Sequence, residues 1–173
     1  MCRVIALTKA RAGFTLVELM VAIAVLAIVA TVAVPSFNSL VQGNRLTSAT
    51  NQLLSAFHMA RSEAIKRSQN VMLCATTDGT SCAASADWDS WLVIVGNDIV
   101  AQGRVASGLN ISGPAATNIV FTPAGLVRDN NGGGLASNLR VCTMSSAVTD
   151  NTRTLNFVAG GSISITRGVT TCA

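Results

Sequence analysis

The sequence predicts an α+β protein in which one long N-terminal helix packs on a mostly antiparallel β-sheet head. An apolar run over residues 14–34 is followed by an amphipathic pattern that reaches residue 67. Beyond residue 70 the chain has short β-type runs separated by turn residues. No helical pattern of 10–15 residues lies between these runs, which argues against parallel βαβ units and favours antiparallel pairing.

The basic residues at the start of the chain explain most of its charge. Arg3, Lys9 and Arg11 precede the apolar run without an accompanying acid, and the whole chain has a formal charge of +4. Without residues 1–13, nine basic residues (12 − 3) face eight acidic ones, which leaves +1. The basicity therefore indicates a topogenic leader that keeps the chain end on the cytoplasmic side, not a nucleic-acid-binding head.

The apolar run over residues 14–34 is interrupted only by Thr15, Glu18 and Thr31. As a helix it would extend about 30 Å, which is sufficient to cross the hydrocarbon core of a bilayer. A secretory signal peptide is the alternative, but its apolar region has only about 7–15 residues. This run is longer and continues through Pro35 into a second helical pattern, so we expect a membrane helix.

The second helical pattern, over residues 36–67, is amphipathic. Its apolar residues recur every three or four positions, with Leu54 and Ile65 widening the stripe. The stripe consists of Leu46, Ala49, Leu53, Phe57, Ala60 and Ala64. We expect this face to pack on the sheet. Pro35 is expected to bend or loosen the helix, because proline has no amide hydrogen and collides with the preceding turn.

Eight strands are predicted in the β-rich region, residues 70–173. They are residues 70–75, 91–95, 99–102, 110–112, 118–122, 139–144, 152–159 and 162–167. The stretches "VGND" and "VAGGS" are typical of hairpin turns. Trp88 and Trp91 are expected to pack inside the head.

Four cysteines follow the leader, which itself contains Cys2: they are Cys74, Cys82, Cys142 and Cys172. Outside the cytoplasm, four cysteines favour two disulfides, for which three pairings exist. We favour Cys74–Cys82, which brackets a short polar loop, and Cys142–Cys172, which ties down the C-terminus. A metal site of four thiolates is disfavoured because no pair has C-x₂-C spacing.

Residues with catalytic chemistry are scarce. His58, the only histidine, has no cysteine or carboxylate partner nearby in the sequence and lies on a predicted helix. Asp87 and Asp89 flank Trp88, but no run of alternating oxygen ligands surrounds them, so a solvated turn is favoured over a calcium site. We therefore expect no enzyme activity, no metal and no cofactor.

Glu18 is the anomaly, because a charge deep in lipid is costly and is usually paired. Cleavage between Gly13 and Phe14 would create an α-ammonium group four residues before this acid.

The stretch "KARAGFTLVEL" (residues 9–19) resembles the class III signal of type IV pilins and type II secretion pseudopilins. The resemblance implies that a prepilin peptidase cuts after Gly13 and N-methylates Phe14. The segment 14–35 would hold the protein in the bacterial inner membrane, N-terminus inside, and later pack in the filament core. Glu18 would meet the methylated amine of a neighbouring subunit. Pro35 falls where many pilins carry a helix-bending proline.

The stretch "NQLLSAFHMARSEAIKRSQNVMLCATTDGTSC" (residues 51–82) resembles the GspH/FimT family. The resemblance implies a cleaved leader (residues 1–13), a membrane and filament-core helix (14–35) and a periplasmic or extracellular head (36–173). It also implies a minor pilin that helps to prime a type IV pilus near its tip, at the cell surface, with the major pilin and other minor pilins as partners. A minor pseudopilin of type II secretion is the alternative.

A third alternative within that family is a minor pilin that captures DNA. The resemblance implies that DNA capture would depend on a basic C-terminal patch, whose family motif reads G-R-x-R after the last hairpin turn. At this position the chain has Gly161-Ser162-Ile163-Ser164. Arg153 and Arg167 remain as candidates for weak DNA contacts, but two isolated arginines neutralise few phosphates. DNA binding is therefore disfavoured.

Overall fold

The computed structural model describes residues 13–115 and 118–172, and these contain one helix and nine strands. The elements are α1 (Leu16–Arg67), β1 (Val71–Ala75), β2 (Ser90–Val95), β3 (Asp98–Arg104), β4 (Leu109–Ser112), β5 (Ile119–Phe121), β6 (Val127–Arg128), β7 (Ser137–Thr143), β8 (Thr152–Phe157) and β9 (Ile163–Gly168). The α+β class and the long N-terminal helix are confirmed. Only the two-residue β6 was not expected as a strand.

Both ends of α1 are closed by local hydrogen bonds. The hydroxyl of Thr15 accepts a hydrogen bond from the Glu18 amide at 3.2 Å, which is the geometry of an N-cap. At the other end Ser68 has a φ of 53°, a left-handed conformation that stops the helix. The last turn also carries an ion pair between Arg67 and Glu63, at 2.6 Å, of the kind that supports a helix end.

Pro35 lies inside α1, which runs through it without interruption. The chain divides into two compact units, the first ending at Phe37 and the second spanning Asn38–Ala173. The boundary lies two residues after Pro35, where the missing proline amide leaves the Thr31 carbonyl without its usual donor. The bend expected at Pro35 stays a prediction.

The β-strands form two sheets, whereas the strand pattern had suggested one. The five-stranded sheet has the order β3-β2-β1-β5-β6, and the four-stranded sheet has the order β4-β7-β8-β9. Every pairing between these strands is antiparallel, as expected. Both predicted hairpin turns are present, with Gly96 at a φ of 60° between β2 and β3 and Gly161 at 78° between β8 and β9.

The apolar stripe of α1 is buried as expected, and Thr50 and Ala56 extend it. Ile65 is an exception and is 52% exposed. It follows the buried Ala64 directly, so it is rotated about 100° away from the buried stripe.

Phe57 connects the helix to both sheets. Its ring lies 4.6 Å from that of Phe121 on β5, edge to face, and 5.5 Å from that of Phe157 on β8. All three rings are fully buried. Because β5 and β8 belong to different sheets, one helical side chain holds the two sheets in a single core.

Candidate membrane and assembly segment

The segment from residue 13 to residue 37 exposes its side chains throughout. Helix α1 contains an 18-residue window with a mean hydropathy of 2.7, and by length and composition it can cross a membrane. Soluble monomers rarely expose a continuous apolar surface of this extent. The segment therefore requires lipid or other protein chains around it.

Gly13 and Phe14 lie just before the helix, in backbone without regular structure. Phe14 is 85% exposed. The peptide bond between these two residues is therefore open to an enzyme that needs an accessible, non-helical backbone. Residues 1–12, the remainder of the expected leader, lie outside the described residues.

Glu18 lies in the first turn of α1, at the third helical position after the Thr15 cap. An acid in this turn is favoured by the helix dipole. Neither of the ion pairs in the part of the chain that the structure describes involves Glu18. The carboxylate is thus placed at the start of the apolar helix, and no ion pair among the described residues occupies it.

Two disulfide bonds are present in the head, in the favoured pairing. Cys74 is bonded to Cys82, with the Cα atoms 5.6 Å apart, and Cys142 is bonded to Cys172, at 5.9 Å. The first closes the loop after β1, and the second ties the C-terminal segment to β7. The described residues contain no group of three or more side chains that could hold a metal ion, and His58 is exposed.

Asp78 organises the loop that the first disulfide closes, a role that the sequence analysis missed. Its carboxylate accepts hydrogen bonds from the amides of Thr80, at 2.8 Å, and Ser81, at 2.9 Å, and from the Ser81 hydroxyl, at 2.8 Å. These bonds, led by the Thr80 amide, hold the pKa of Asp78 well below its usual range. The sequence "DGTS" carries the signal, because an aspartate before glycine and serine commonly bonds the following amides.

We expect the stabilising effect of Asp78 to depend on pH. Because its pKa is lower in the folded head, the carboxylate stabilises the loop at neutral pH, and this stabilisation is lost as the pH falls below about 4. The melting temperature of the parent should exceed that of Asp78→Asn at pH 7, and the difference should shrink by about pH 3. A difference that does not change with pH would contradict this role.

Asp89 is not the solvated turn residue that the sequence suggested. It is partly buried, and its carboxylate accepts a hydrogen bond from the Ile111 amide at 2.6 Å, which joins the start of β2 to β4. Burial raises the pKa of Asp89, against the Ile111 hydrogen bond, and the charge of the exposed Asp87 raises it further. The aspartate therefore has a structural role, next to the fully buried Trp88.

Arg153, one of the two arginines considered for DNA contacts, is buried. Its Nη1 donates to the carbonyls of Asp150, at 2.8 Å, and Thr152, at 2.9 Å. Burial lowers the pKa of Arg153, and repulsion from Arg167, its cross-strand neighbour, lowers it further. Arg167 is exposed, whereas the side chain of Arg153 is occupied inside the head, which argues against a phosphate-binding pair.

Two family models match the chain. The model described as "Type II transport protein GspH" matches residues 49–166, more than half of the sequence, and the model described as "Prokaryotic N-terminal methylation motif" matches residues 8–34. No match to a curated protein sequence is found.

Two crystal structures of the type IV minor pilin FimU from Pseudomonas aeruginosa (strain PAO1) are similar to this chain. The structure in space group P21 is 21% identical to this chain and has a TM-score of 0.54. The match covers 73% of this chain and 92% of the FimU chain. The other, in space group P65, is 20% identical, covers 69% and 91%, and has a TM-score of 0.51. At this identity the similarity establishes a shared pilin-like fold.

Proposed function

Because the chain belongs to the GspH family of pilin-like proteins and carries the N-terminal methylation motif, we propose that it is a minor pilin of a type IV pilus. Pilin-like proteins are structural subunits and not enzymes. In this proposal the subunit helps to prime pilus assembly and sits near the pilus tip. The observation that carries the proposal is a carboxylate, Glu18, in the first turn of an exposed apolar helix and inside the segment that matches the methylation motif.

Processing is the first step of the proposal. A prepilin peptidase cuts after Gly13 and methylates the new amine of Phe14. The exposure of Phe14 and the non-helical backbone on both sides of the bond support this step. The mature chain is then held in the inner membrane by the apolar part of α1, whose basic leader faced the cytoplasm.

Assembly is the second step. In the filament the apolar segment leaves lipid for an environment of other apolar helices, and both environments penalise an unpaired charge. Glu18 then pairs with the methylated ammonium group of a neighbouring subunit, so that the two charges neutralise each other. A subunit that retains this acid has a further subunit above it, which suggests a position near the tip rather than at its extreme end.

A minor pseudopilin of the type II secretion system is the second candidate. The description of the matching family model as a type II transport protein favours it. Both candidates share the processed N-terminus and the Glu18 pairing, so only the filament into which the chain is incorporated distinguishes them.

Mass spectrometry tests both parts of the proposal. The intact mass of protein purified from membranes should correspond to a chain that begins at methylated Phe14. Pili sheared from the cell surface should contain the same species. A chain that begins at Met1, or is cut elsewhere, would exclude the processing step, and a processed chain that is present only in secretion pseudopili would select the second candidate.

A further inference from the structure

The head contains a groove of about 700 Å³ between one face of α1 and the strands β2 and β3. The helix contributes polar side chains such as Asn51 and Ser55, and the strands contribute Trp91, Gln102 and Gly103. None of the described residues that line the groove is charged. The groove therefore suits an uncharged occupant that can form hydrogen bonds.

One wall of the groove is a free sheet edge. Strand β3 is at the end of the five-stranded sheet, and its outer side pairs with no strand in the described part of the chain. Half of the backbone N–H and C=O groups of such a strand point away from the sheet. Ala101 and Gly103, which line the groove from β3, have little or no side chain, so another backbone can approach closely.

Trp91 provides a second, independent indication that the groove binds a partner. It is 7% exposed, and its ring packs so closely on Gly103 that a Cβ atom there would overlap it. The indole Nε1 is buried and has no hydrogen-bond acceptor among the described residues. Buried tryptophan N–H groups are normally bonded, so this residue, which lines the groove, carries a donor that still needs an acceptor.

We propose that the groove binds an extended, uncharged peptide segment of a neighbouring filament subunit, which adds as a strand to β3. The segment would satisfy the outward backbone groups of β3, and a side-chain amide oxygen on its face toward α1 would accept the Trp91 indole N–H. Because that nitrogen is covered in the free head, the groove lining would have to shift as the segment enters. The identity of the partner as a filament subunit rests on the proposed function.

A peptide fits the edge better than a sugar does. The pairing of β3 with β2 is regular from Ala101 to Arg104, on one side of the register shift between Val93 and Ile94. In this part of β3 the free donors and acceptors repeat with the spacing of a polypeptide backbone, which an added strand can match. The charged residues of β3, Asp98 and Arg104, are at its two ends. An uncharged segment matches this distribution, because the part of β3 that lines the groove carries no charge.

Photo-crosslinking in cells that assemble filaments tests the proposal on the full chain. A photoreactive amino acid replaces Gln102, which lines the groove and is exposed. We expect an adduct with another pilin subunit. Ser55→Arg places a charge in the groove and should reduce this adduct at least about fivefold. Ser62→Arg, at an exposed position of the same helix outside the groove, should leave it unchanged.

Both substitutions replace an exposed serine by a better helix former, so the head should keep its fold, and equal melting temperatures of the two variants would check this. An adduct that Ser55→Arg does not reduce, or an adduct with nucleic acid or a glycan instead of a protein, would overturn the docking surface. So would the absence of an adduct. If the groove proposal fails but the parent chain is found in sheared filaments, the pilin function survives. If the parent chain is missing from filaments but crosslinks to a pilin subunit in the membrane, the docking surface survives and the pilus function does not.

Discussion

Glu18→Gln should leave the subunit processed and anchored in the membrane but should nearly remove it from sheared filaments. The glutamine cannot neutralise the ammonium group of the neighbouring chain. A charge that loses its partner in an apolar environment costs several kcal/mol, and 1.4 kcal/mol corresponds to a factor of ten. We therefore expect at least about a hundredfold loss of incorporation, measured by quantitative mass spectrometry of pili against membranes.

Two variants control for other effects in the same segment. Glu18→Asp keeps the charge on a shorter side chain and should lose less than the glutamine variant. Thr31→Val removes a hydroxyl that donates a local hydrogen bond of 2.7 Å to the Ile28 carbonyl, and should incorporate like the parent. Normal incorporation of Glu18→Gln would exclude the pairing, because a neutral glutamine cannot form it.

Phe57→Ala should be the most damaging single change in the head. Phe57 is fully buried and joins Phe121 and Phe157, which belong to different sheets. Truncation of a buried phenylalanine costs about 3–5 kcal/mol through lost transfer energy and the cavity that remains. For a head of this size we expect the melting temperature, followed by circular dichroism, to fall by about 10–20 °C.

Met59→Ala is the matched control for this prediction. Met59 lies two residues further along the same helix but is 45% exposed, so its truncation should cost less than about 1 kcal/mol. Similar melting temperatures for the two variants would show that Phe57 does not hold the sheets together.

Much of the architecture follows from local patterns. The apolar period of α1, the two hairpin turns and most strand positions are properties of neighbouring residues, and they agree with the structure. Strand β6 escaped prediction because its two residues are too few to show a period, and it forms by pairing with β5. The division into two sheets could not be predicted either, because β1 pairs with β5, and β4 pairs with β7, across long stretches of chain.

The roles of several polar residues also depend on contacts that the local sequence does not show. Asp89 looked like a turn residue, and Arg153 like a surface arginine, because neither carries a local signal of burial. Asp89 is bonded to Ile111, and Arg153 is enclosed by the folding of its sheet. The unsatisfied Trp91 nitrogen is likewise a property of the packed head, since it depends on what surrounds the indole ring.

The sequence alone is enough to identify the processing motif, the apolar helix and the position of Glu18, because each depends only on residues that adjoin along the chain. It also determined the family. The folded chain was needed to show which strands share a sheet, which arginine is exposed and where a free edge borders a groove. These features depend on contacts between residues that are distant in sequence, and no local period or motif encodes such contacts.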